Sequence, residues 1–553
     1  MARKKVLVLL GGGYHAFDEC GRTLEAFLKA TGRFDVTCTT DRDALASLRR
    51  RRYAALLVFA QGGQLTAKQE KGVVDFVERG GGLVGIHCAS DSFTKNKGYM
   101  QLIGSQFIDH GAVVPFDVTV SNEDHPLAAR VQKSRITDEL YILKQHADFE
   151  PYLQAYWQNV AHPMAYTRTQ GDGRVGYLAL GHGVEAFNHP TFQSQVIRQL
   201  RWVSGETEVF DRVIGCGIVG YGGAFNMGKL HAEAINACQG LETVAVCDVD
   251  ESRLELAEED FPGVKTYSRI DRMLEDDEVE LCVLVTPHNT HAPLAIQCGK
   301  AGRHVVCEKP FCLTIKEATD MIRAAKRSGT VCSVFHNRRR DADFLTIKGL
   351  IDAGAIGEVY QVEANAGGYG YPGDWWRSNK TISGGAFYDW GAHFIDWILN
   401  LVPRRVESVY GFFPPKRVWH HVTNEDHCWA AIRFDGGVLA TFEQSSIAAV
   451  GKAKWRILGT RGGITMGEND TIKLVQIETD GRRVESTVPY VEGDWHGYYR
   501  AMADHLILGD PLEVTPESAR RVIGVLSLAE QSSAKGRPLA MPYEDELFGP
   551  KKK

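Results

Sequence analysis

Short apolar runs alternate with amphipathic segments over the first 205 residues. The apolar runs predict strands at Val6–Leu10, Ala54–Ala60 and Leu83–His87, and the segments between and after them predict helices at Gly21–Thr31, Thr66–Glu78 and Gln193–Val203. Alternation of this kind is typical of a mostly parallel sheet with helices on both faces. We therefore expect a first α/β domain over residues 1–205, with a short polar junction at Gly205–Glu208.

The same alternation begins again at Arg212 and changes after about Phe335. Predicted strands and helices follow in turn at Val213–Val219, Gly228–Gln239, Thr243–Asp248, Glu251–Asp260, Leu281–Thr286, His304–Glu308 and Ile315–Ser328. The later strands alternate with a period of two, which indicates an antiparallel or mixed sheet; they are Val406–Phe412, His427–Phe434 and Val438–Ser445. A last helix is predicted at Pro516–Ala534, and Lys551–Lys553 is a predicted solvated tail. We expect an α/β domain over residues 212–335 and a domain with an open mixed sheet over residues 336–545.

Composition excludes several classes of partner. The chain has 553 residues, more than one hydrophobic core usually supports, with 44% hydrophobic and 24% charged residues. A net charge of -6 and a pI near 6.4 argue against a nucleic acid or an anionic membrane as partner. No apolar run reaches the roughly 18 residues of a membrane span. The twelve cysteines form no Cys-x-x-Cys pair, and Val6–Leu10 is too short for a signal peptide, so we expect a reduced, cytoplasmic protein.

A glycine-rich turn follows the strand Val213–Val219. Gly220 suits a tight turn, Gly222 a close approach of the backbone to a pyrophosphate, and Gly228 the start of a helix whose free N–H groups favour phosphate. The spacing exceeds that of G-x-G-x-x-G by three residues. Asp248 ends the next strand, where a carboxylate accepts hydrogen bonds from ribose hydroxyls and repels a 2′-phosphate. The turn predicts a dinucleotide site that prefers NAD to NADP; the alternative is an ordinary turn with a surface aspartate.

Two further motifs carry side chains suited to proton transfer. Lys309 follows the strand His304–Glu308, and ligands bind at the carboxyl ends of strands in open α/β sheets. Asp389 and His393 are four residues apart, so in a helix they share a face. A histidine with a near-neutral pKa, oriented by a carboxylate, suits the removal of a hydroxyl proton. The alternative is a structural hydrogen bond between the two side chains.

Together, the glycine turn, Glu308–Pro310, Gly384–Gly385 and the pair Asp389 and His393 resemble the Gfo/Idh/MocA family of oxidoreductases over about residues 212–545. The resemblance implies a Rossmann domain, then a C-terminal α/β domain whose open sheet often mediates homo-oligomers. It also implies NAD as cofactor, which can be tightly bound, and a sugar or glycoside as substrate.

The family's site residues carry over by position. The cofactor-binding set that the resemblance implies is Gly220, Gly222, Gly228, Asp248 and Glu308. By the same resemblance Lys309 would steady the reacting hydroxyl, Asp389 would orient or assist, and His393 would be the general acid/base while hydride passes to nicotinamide C4.

Aromatic and basic side chains flank these motifs. Trp375, Trp376 and Arg377 are expected to line a sugar pocket, because aromatic faces and a guanidinium suit a polyol; packing is the alternative role of the tryptophans. The segment His336–Arg340 follows another strand end and is a candidate for the pocket border, but a solvated basic face is the expectation there.

The first domain has motifs of its own. Its strand ends at Gly85–Ala89, and together with Gly11–His15, Phe107–His110, Asp138–Tyr141 and Leu180–His182 this resembles the ThuA-like (trehalose-utilisation) domains over about residues 4–205. The resemblance implies the flavodoxin-like fold of class I glutamine amidotransferases. Where an amidotransferase has its nucleophilic cysteine this chain has His87, with Cys88 displaced by one position. A one-residue shift at a tight turn re-aims the side chain, so we do not expect thiol-based glutaminase chemistry.

Several polar side chains are predicted at the loop ends of this domain: His15, His87, His110, Glu139 and His182. Histidine with carboxylate can build a zinc or other divalent-metal site with an open position for substrate. No His-Glu-x-x-His signature is present, so a metal-free acid/base or sugar-binding site and purely structural histidines remain the alternatives.

Two functions are compatible with this fusion. In one function, the second half of the chain oxidises a ring hydroxyl of a sugar or glycoside with NAD, at C3 for example. The first domain then processes the keto-sugar, so that the net reaction can be a redox-neutral glycoside cleavage. In the second, the chain is a simple sugar or polyol dehydrogenase, and the first domain is a non-catalytic scaffold or a sugar-binding module.

Overall fold

The strands form three sheets within residues 3–206, 212–223 and 225–549, which are the residues that the computed structural model describes. The chain divides into two units: unit 1 is Met1–Arg212 with Asp504–Leu512, and unit 2 is Val213–Ala503 with Glu513–Lys553. The predicted junction at Gly205–Glu208 lies partly outside the described residues, and the predicted tail Lys551–Lys553 lies wholly outside them.

The described part of unit 1 holds the first sheet and five α-helices. The strands are β1 (Lys4–Gly11), β2 (Phe34–Thr39), β3 (Ala55–Ala60), β4 (Gly82–Ile86), β5 (Ser105–Val120), β6 (Ser134–Gln145), β7 (Glu150–Trp157), β8 (Val160–Gln170) and β9 (Gly173–Leu178). The helices are α1 (Phe17–Ala30), α2 (Ala67–Glu78), α3 (Lys97–Ile103), α4 (Val184–Phe187) and α5 (Pro190–Val203). The six elements predicted from the apolar pattern of this half are confirmed, with shifted ends.

The sheet of unit 1 is parallel in one half only. Its order is β2-β1-β3-β4-β9-β8-β7-β5-β6, and the first five strands in this order are parallel, whereas the remaining four pair antiparallel. The prediction of a mostly parallel sheet is therefore wrong for the half of this sheet formed by β8, β7, β5 and β6. The turn between β7 and β8 explains part of the difference: Gln158 and Asn159 both have positive φ, as a two-residue hairpin requires, and a hairpin reverses the chain.

Unit 2 begins with an all-parallel sheet. Its strands are β10 (Ile214–Val219), β11 (Leu241–Cys247), β12 (Lys265–Tyr267), β13 (Leu281–Leu284), β14 (His304–Cys307) and β15 (Cys332–Val334). Its helices are α6 (Met227–Asn236), α7 (Glu251–Asp260), α8 (Ile270–Leu274), α9 (His291–Lys300) and α10 (Ile315–Ser328). The order β12-β11-β10-β13-β14-β15 is that of a Rossmann sheet, and the strand order reverses between β10 and β13, where such sheets bind their ligands.

The rest of unit 2 contains the mixed sheet. Its strands are β16 (Val359–Gly367), β17 (Val406–Phe412), β18 (His427–Phe434), β19 (Leu439–Ser445), β20 (Trp455–Gly459), β21 (Gly462–Met466), β22 (Thr471–Ile477), β23 (Arg483–Pro489) and β24 (Leu539–Ala540). The helices are α11 (Ala342–Asp352), α12 (Lys380–Ser383), α13 (Ala386–Leu401), α14 (Gly497–Ala503), α15 (Pro516–Lys535) and α16 (Glu544–Phe548). The sheet order is β23-β22-β21-β20-β16-β19-β18-β17-β24, and only β16 and β19 pair in parallel.

The cores follow from these elements. In unit 1 the parallel strands are almost wholly buried and apolar, and α1, α2 and α5 cover them with their apolar faces. In unit 2, α13 and α15 pack against the mixed sheet, where the rings of Phe394, Trp397, Phe442 and Trp455 lie against one another. The predicted α/β class with a flavodoxin-like first domain, a Rossmann domain and a mixed-sheet domain is confirmed. Among the described helices, none is both long and apolar enough to cross a membrane.

Candidate active sites in the two units

The glycine turn of unit 2 leaves β10 in a conformation that requires glycine. Gly220 and Gly222 have φ values of 96° and 82°, a region that other residues rarely adopt. A Cβ at Gly228 would lie 2.8 Å from the carbonyl oxygen of Gly220, so the first turn of α6 lies directly against the glycine turn. Asn226 directly precedes α6, which begins at Met227. The glycine turn and the first turn of α6 fit a pyrophosphate. Glycine leaves the backbone open to it, whereas a side chain at these positions would be strained or would collide with the backbone.

A cavity of about 810 Å³ lies at the carboxyl ends of β10 and β13. Its walls include Gly220, Gly222, Asp248, Glu308, Lys309, Trp375, Trp376 and Arg377. Asp248 Oδ2 accepts a hydrogen bond of 2.7 Å from the Tyr221 N–H, so this carboxylate also fixes the glycine turn. Sequence reasoning did not single out Arg253 and Arg269, two further wall residues that follow β11 and β12.

Glu308 holds the backbone of the lysine that follows it. Its carboxylate accepts hydrogen bonds from His231 Nε2 at 3.0 Å and from the Lys309 N–H at 2.8 Å. Burial raises the pKa of Glu308, but the His231 hydrogen bond and the charges of His231 and Lys309 outweigh burial and lower the pKa to about 2. Glu308 is therefore ionised at neutral pH, and its hydrogen bond to the Lys309 N–H fixes the backbone of Lys309.

Lys309 and Asp389 form an ion pair at the cavity wall. Lys309 Nζ lies 2.9 Å from Asp389 Oδ1 and 3.0 Å from the Asp389 carbonyl oxygen, and Arg377 Nη1 lies 2.6 Å from the same carboxylate oxygen. Burial raises the pKa of Asp389, but the two cations hold it well below its usual range. The carboxylate therefore stays ionised and fixes both cations.

His393 lies one turn after Asp389 on α13, so the predicted shared helix is confirmed. The predicted histidine–carboxylate pair is not observed, because the partners of the Asp389 carboxylate are Lys309 and Arg377, while His393 Nδ1 is buried without a hydrogen-bond partner among the described residues. The expectation of a near-neutral pKa is wrong as well. Burial and then the charges of Lys309 and Arg338 hold the pKa of His393 well below its usual range, so this imidazole is neutral. Neither Asp389 nor His393 is among the wall residues of the 810 Å³ cavity.

The tryptophan segment lies in the cavity wall and also packs. The Arg377 guanidinium lies 5.0 Å from the Trp376 ring centre and 5.4 Å from that of Trp375. Sequence reasoning missed His288, another wall residue: its Nδ1 hydrogen-bonds the Ser383 carbonyl at 2.8 Å, and its Nε2 is buried without a partner in the described part of the chain. Burial lowers the pKa of His288 to about 3. Its place just after β13 is the signal that would have identified it.

The segment His336–Arg340 is not the solvated basic face that we expected. His336 is buried, and Arg339 forms two hydrogen bonds of 2.8 and 2.6 Å with the buried carboxylate of Asp396. A guanidinium so paired can be buried at acceptable cost, which single-sequence patterning does not reveal. Arg338 keeps part of its side chain exposed and contacts two tryptophan rings.

In unit 1 the five predicted polar side chains lie together at one edge of the sheet. The candidate ligand atoms of His15, His87 and His182 all lie within 4.8 Å of one another. Glu139 lies among them: its carboxylate is 3.0 Å from His182 Nδ1, 2.8 Å from His110 Nδ1 and 3.4 Å from His87 Nε2. His15, His87 and His182 follow β1, β4 and β9, whose carboxyl ends meet at this edge because the strands are parallel.

His87 occupies the elbow after β4. Its φ of 44° is unusual for a residue with a side chain and is typical of strained functional turns. Cys88 beside it is completely buried, and burial raises the pKa of its thiol well above the usual range. A protonated, buried thiol is a poor nucleophile. The expectation that this domain lacks a catalytic cysteine at the elbow agrees with this geometry.

Hydrogen bonds fix the tautomers of two histidines. Nδ1 of His15 lies 3.1 Å from the His182 carbonyl oxygen, and Nδ1 of His87 lies 2.6 Å from that of Ala179. A ring nitrogen that donates to a carbonyl carries the proton, so each Nε2 has a lone pair to offer. Both Nε2 atoms are buried without a hydrogen-bond partner among the described residues. Burial and then the neighbouring His87 lower the pKa of His15 to about 4, so its imidazole is neutral.

The chain matches known families over most of its length. Residues 5–203 match ThuA, described as trehalose utilisation. Residues 214–336 match the oxidoreductase family with an NAD-binding Rossmann fold, and residues 344–465 match the GFO/IDH/MocA C-terminal domain.

Individual relatives match the second half. The scyllo-inositol 2-dehydrogenase (NADP(+)) IolW of Bacillus subtilis is 30% identical over 363 residues, which are 60% of this chain and 96% of that protein. The myo-inositol 2-dehydrogenase of Thermotoga maritima is 28% identical, over 48% of this chain and 79% of that protein. A crystal structure of an NAD-binding protein from Listeria innocua superposes with a TM-score of 0.54 at 28% identity, over 60% of this chain and 97% of that one. This chain therefore belongs to the Gfo/Idh/MocA family of oxidoreductases, with a ThuA domain ahead of the Rossmann domain.

Proposed function

We propose that unit 2 oxidises a ring hydroxyl of a sugar or glycoside with NAD. The observation that carries the proposal is the position of Lys309, whose ammonium lies in the wall of the cavity that also contains the glycine turn and is fixed by Asp389. Two relatives named as inositol dehydrogenases support a cyclic polyol-like substrate. We expect the cofactor to be held by the glycine turn and Asp248, tightly enough in some preparations to co-purify.

Different side chains of unit 2 stabilise the reacting oxygen and accept its proton. When bound, NAD accepts a hydride from the carbinol carbon and can return it to a keto product. The Lys309 ammonium donates a hydrogen bond to the reacting oxygen and stabilises the negative charge that develops there. The neutral His393 accepts the hydroxyl proton. Asp389 orients Lys309, and Trp376 and Arg377 border the sugar.

The assay is direct. The full chain is incubated with NAD or NADP and a panel of monosaccharides, inositols and glycosides, and absorbance at 340 nm and released sugar are followed. We expect reduction of NAD with at least one carbohydrate and loss of the activity in Lys309→Ala and His393→Ala. Unaltered activity in both variants would refute the assignment, and a preference for NADP would refute the role given to Asp248.

We further propose that unit 1 binds a divalent metal, zinc in the first instance, at His15, His87 and His182. The Nε2 atoms of His15 and His87 are buried without a hydrogen-bond partner among the described residues, so both can turn toward a bound cation. The candidate ligand atoms of the three histidines all lie within 4.8 Å of one another, and imidazole nitrogens are ligands that zinc prefers, so these residues would hold the ion. A metal-free acid/base site is the alternative.

Such a site suits a keto-sugar. A ketone at C3 makes the C2 proton acidic, so a base can remove it while the C1–O bond breaks and the electron pair leaves with the departing alcohol, which takes up a proton. A metal held by the three histidines would supply a Lewis acid for the ketone oxygen, and the Glu139 carboxylate beside them accepts the C2 proton. Addition of water at C1 and reduction of the ketone complete a glycoside cleavage without net redox change. The simpler alternative is a sugar dehydrogenase with a non-catalytic unit 1.

Metal analysis separates these alternatives. The full chain is loaded with zinc, desalted and analysed for bound metal beside His87→Ala and, as a matched control, His146→Ala, a surface histidine of the same unit. We expect about one zinc in the wild type and the control and almost none in His87→Ala. Equal zinc in all three proteins would refute the metal site, and glycoside cleavage that survives in His87→Ala would favour a non-catalytic unit 1.

Three broader expectations stay proposals. They are the domain boundaries at 1–205, 212–335 and 336–545, a homo-oligomer, and a cytoplasmic location. Light scattering after size-exclusion chromatography measures the oligomeric state, and separate expression of the three segments tests the boundaries.

A further inference from the structure

Unit 2 carries an exposed aromatic cluster beside His393 that the proposed oxidation does not use. Trp390 and Trp495 are 42% and 49% exposed, which is high for the largest apolar side chain. The guanidinium of Arg338 lies between them, 5.5 Å from the ring centre of Trp390 and 5.1 Å from that of Trp495. Two separate parts of unit 2, α13 and the segment before α14, thus contribute to one aromatic–basic surface.

Asp341 joins two members of this cluster. Its carboxylate lies 3.0 Å from Arg338 Nη1 and accepts a hydrogen bond of 2.7 Å from Trp495 Nε1. The contact between Arg338 and Trp495 therefore has a fixed geometry, since the guanidinium and the indole N–H share one anchor. Rigid side chains of this kind lose little conformational entropy when a ligand binds.

The cluster adjoins the reacting centre. Trp390 follows Asp389 directly on α13, and its ring centre lies 6.1 Å from that of His393. On the other side, Trp495 and Asp341 line a cavity of about 640 Å³ together with Asp343 and Tyr490. None of its wall residues belongs to the wall of the 810 Å³ cavity that contains the glycine turn. The cluster therefore reaches from Trp390 beside His393, through Arg338, to Trp495 in the wall of a second recess.

The chemistry of this recess fits a pyranose ring. The C–H faces of a sugar pack on indole rings, and its hydroxyls donate to carboxylates and accept from guanidinium groups. Two of its four carboxylates are already paired, Asp341 with Arg338 and Asp343 with Lys454 at 2.6 Å, while Asp470 and Glu492 complete the acidic lining. The four carboxylates supply acceptors for the hydroxyls of a neutral polyol.

We propose that Trp390, Arg338 and Trp495 form a subsite for the second sugar ring of a glycoside whose first ring is oxidised at Lys309 and His393. The subsite rests on the proposed oxidation and narrows its substrate class from sugars in general to disaccharides or larger glycosides. It also gives the departing ring of a cleavage reaction a place to bind during oxidation.

The test compares substrates of equal reactivity and different size. Trehalose, cellobiose and maltose are each assayed with NAD beside methyl α- and methyl β-glucoside, in the wild type, Trp495→Ala, Trp495→Phe and the control Tyr156→Ala, which removes an exposed aromatic ring of unit 1. We expect the wild type to prefer a disaccharide in kcat/KM. We expect Trp495→Ala to lower the ratio of disaccharide to methyl-glucoside kcat/KM about tenfold, mainly through KM, and Trp495→Phe to retain most of this ratio.

Other outcomes overturn the subsite. Equal losses of kcat/KM for both substrate sizes in Trp495→Ala would give Trp495 a structural role only, and unchanged kcat/KM for both would leave it no role. If the wild type oxidises no carbohydrate, the proposed function fails, and the subsite is then tested by calorimetric titration with the three disaccharides. Weaker disaccharide binding in Trp495→Ala would still support it, and the absence of disaccharide binding to the wild type would refute it.

Discussion

Replacing Lys309 by methionine tests the core of the proposed mechanism. Methionine keeps the length and apolar part of the side chain and removes only the charge. The Nζ–Oδ1 distance of 2.9 Å to Asp389 corresponds to about 6 kcal/mol between unit charges at an effective dielectric constant near 20, which sets the scale for an oxyanion at a similar distance from this ammonium. Removing one donor that stabilises a developing oxyanion lowers kcat about 10²–10³-fold, or about 3–4 kcal/mol, which is of this order. We expect kcat to fall by that factor.

The same substitution changes the pH dependence in a defined direction. Burial lowers the pKa of His393, and Lys309 is the first of the cations that lower it further. Removal of this cation raises the pKa of His393 toward its ordinary range, so the remaining activity should decline at a higher pH on the acid side than in the wild type. Asp389 keeps its ion pair with Arg377 at 2.6 Å and stays ionised.

Initial rates from pH 5 to 9 at saturating NAD measure both effects. The matched control is Lys316→Met on α10, which removes an exposed lysine that is also paired with an aspartate. Thermal unfolding of both variants verifies that they are folded. Retention of more than a tenth of kcat in Lys309→Met, or an acid limb that does not move, would refute the role of the ammonium.

Three further substitutions test other parts of the molecule. Asp248→Asn removes a charge but keeps an oxygen for the Tyr221 N–H; we expect kcat/KM for NADP relative to NAD to rise about tenfold, and an unchanged ratio would contradict the role of the charge. Asp396→Ala leaves the buried guanidinium of Arg339 without its carboxylate partner. We expect the free energy of unfolding, measured by urea titration, to fall by about 3–5 kcal/mol. A loss below about 1 kcal/mol would show that water replaces the carboxylate. Glu139→Gln removes the carboxylate that contacts three histidines; we expect zinc affinity to fall about 10–100-fold in chelator competition, and unchanged affinity would place the metal elsewhere.

The positions of the site residues were predictable where one topological rule applied. His15 and His182 are 167 positions apart, yet the ring of one hydrogen-bonds the backbone of the other. Their proximity follows from the rule that parallel strands present their carboxyl ends at one edge of a sheet. The same rule led to the glycine turn and to Lys309, and it would have identified His288 had it been applied to every strand end.

The partners of the charged groups were not predictable in the same way. The four-residue spacing of Asp389 and His393 indicated a pair, but two cations from distant parts of the sequence compete for the carboxylate, and a cation prevails over a neutral imidazole. The low pKa of His393 likewise depends on burial and on charges brought from other elements. The antiparallel half of the first sheet was missed because its strands carry partly exposed, polar sequences that lack the apolar runs of β1, β3 and β4.

The elbow after β4 shows how one residue can change the chemistry that a fold supports. The positive φ of His87 directs the chain so that this side chain, and not that of Cys88, is presented at the sheet edge. A thiol at this point would be a nucleophile only if it were deprotonated, whereas burial keeps the neighbouring thiol protonated. The imidazole is fixed by the Ala179 carbonyl and directs its Nε2 lone pair toward Glu139. Acyl transfer to sulfur is thereby excluded at this elbow, and the groups that remain there are those that bind a metal or move a proton.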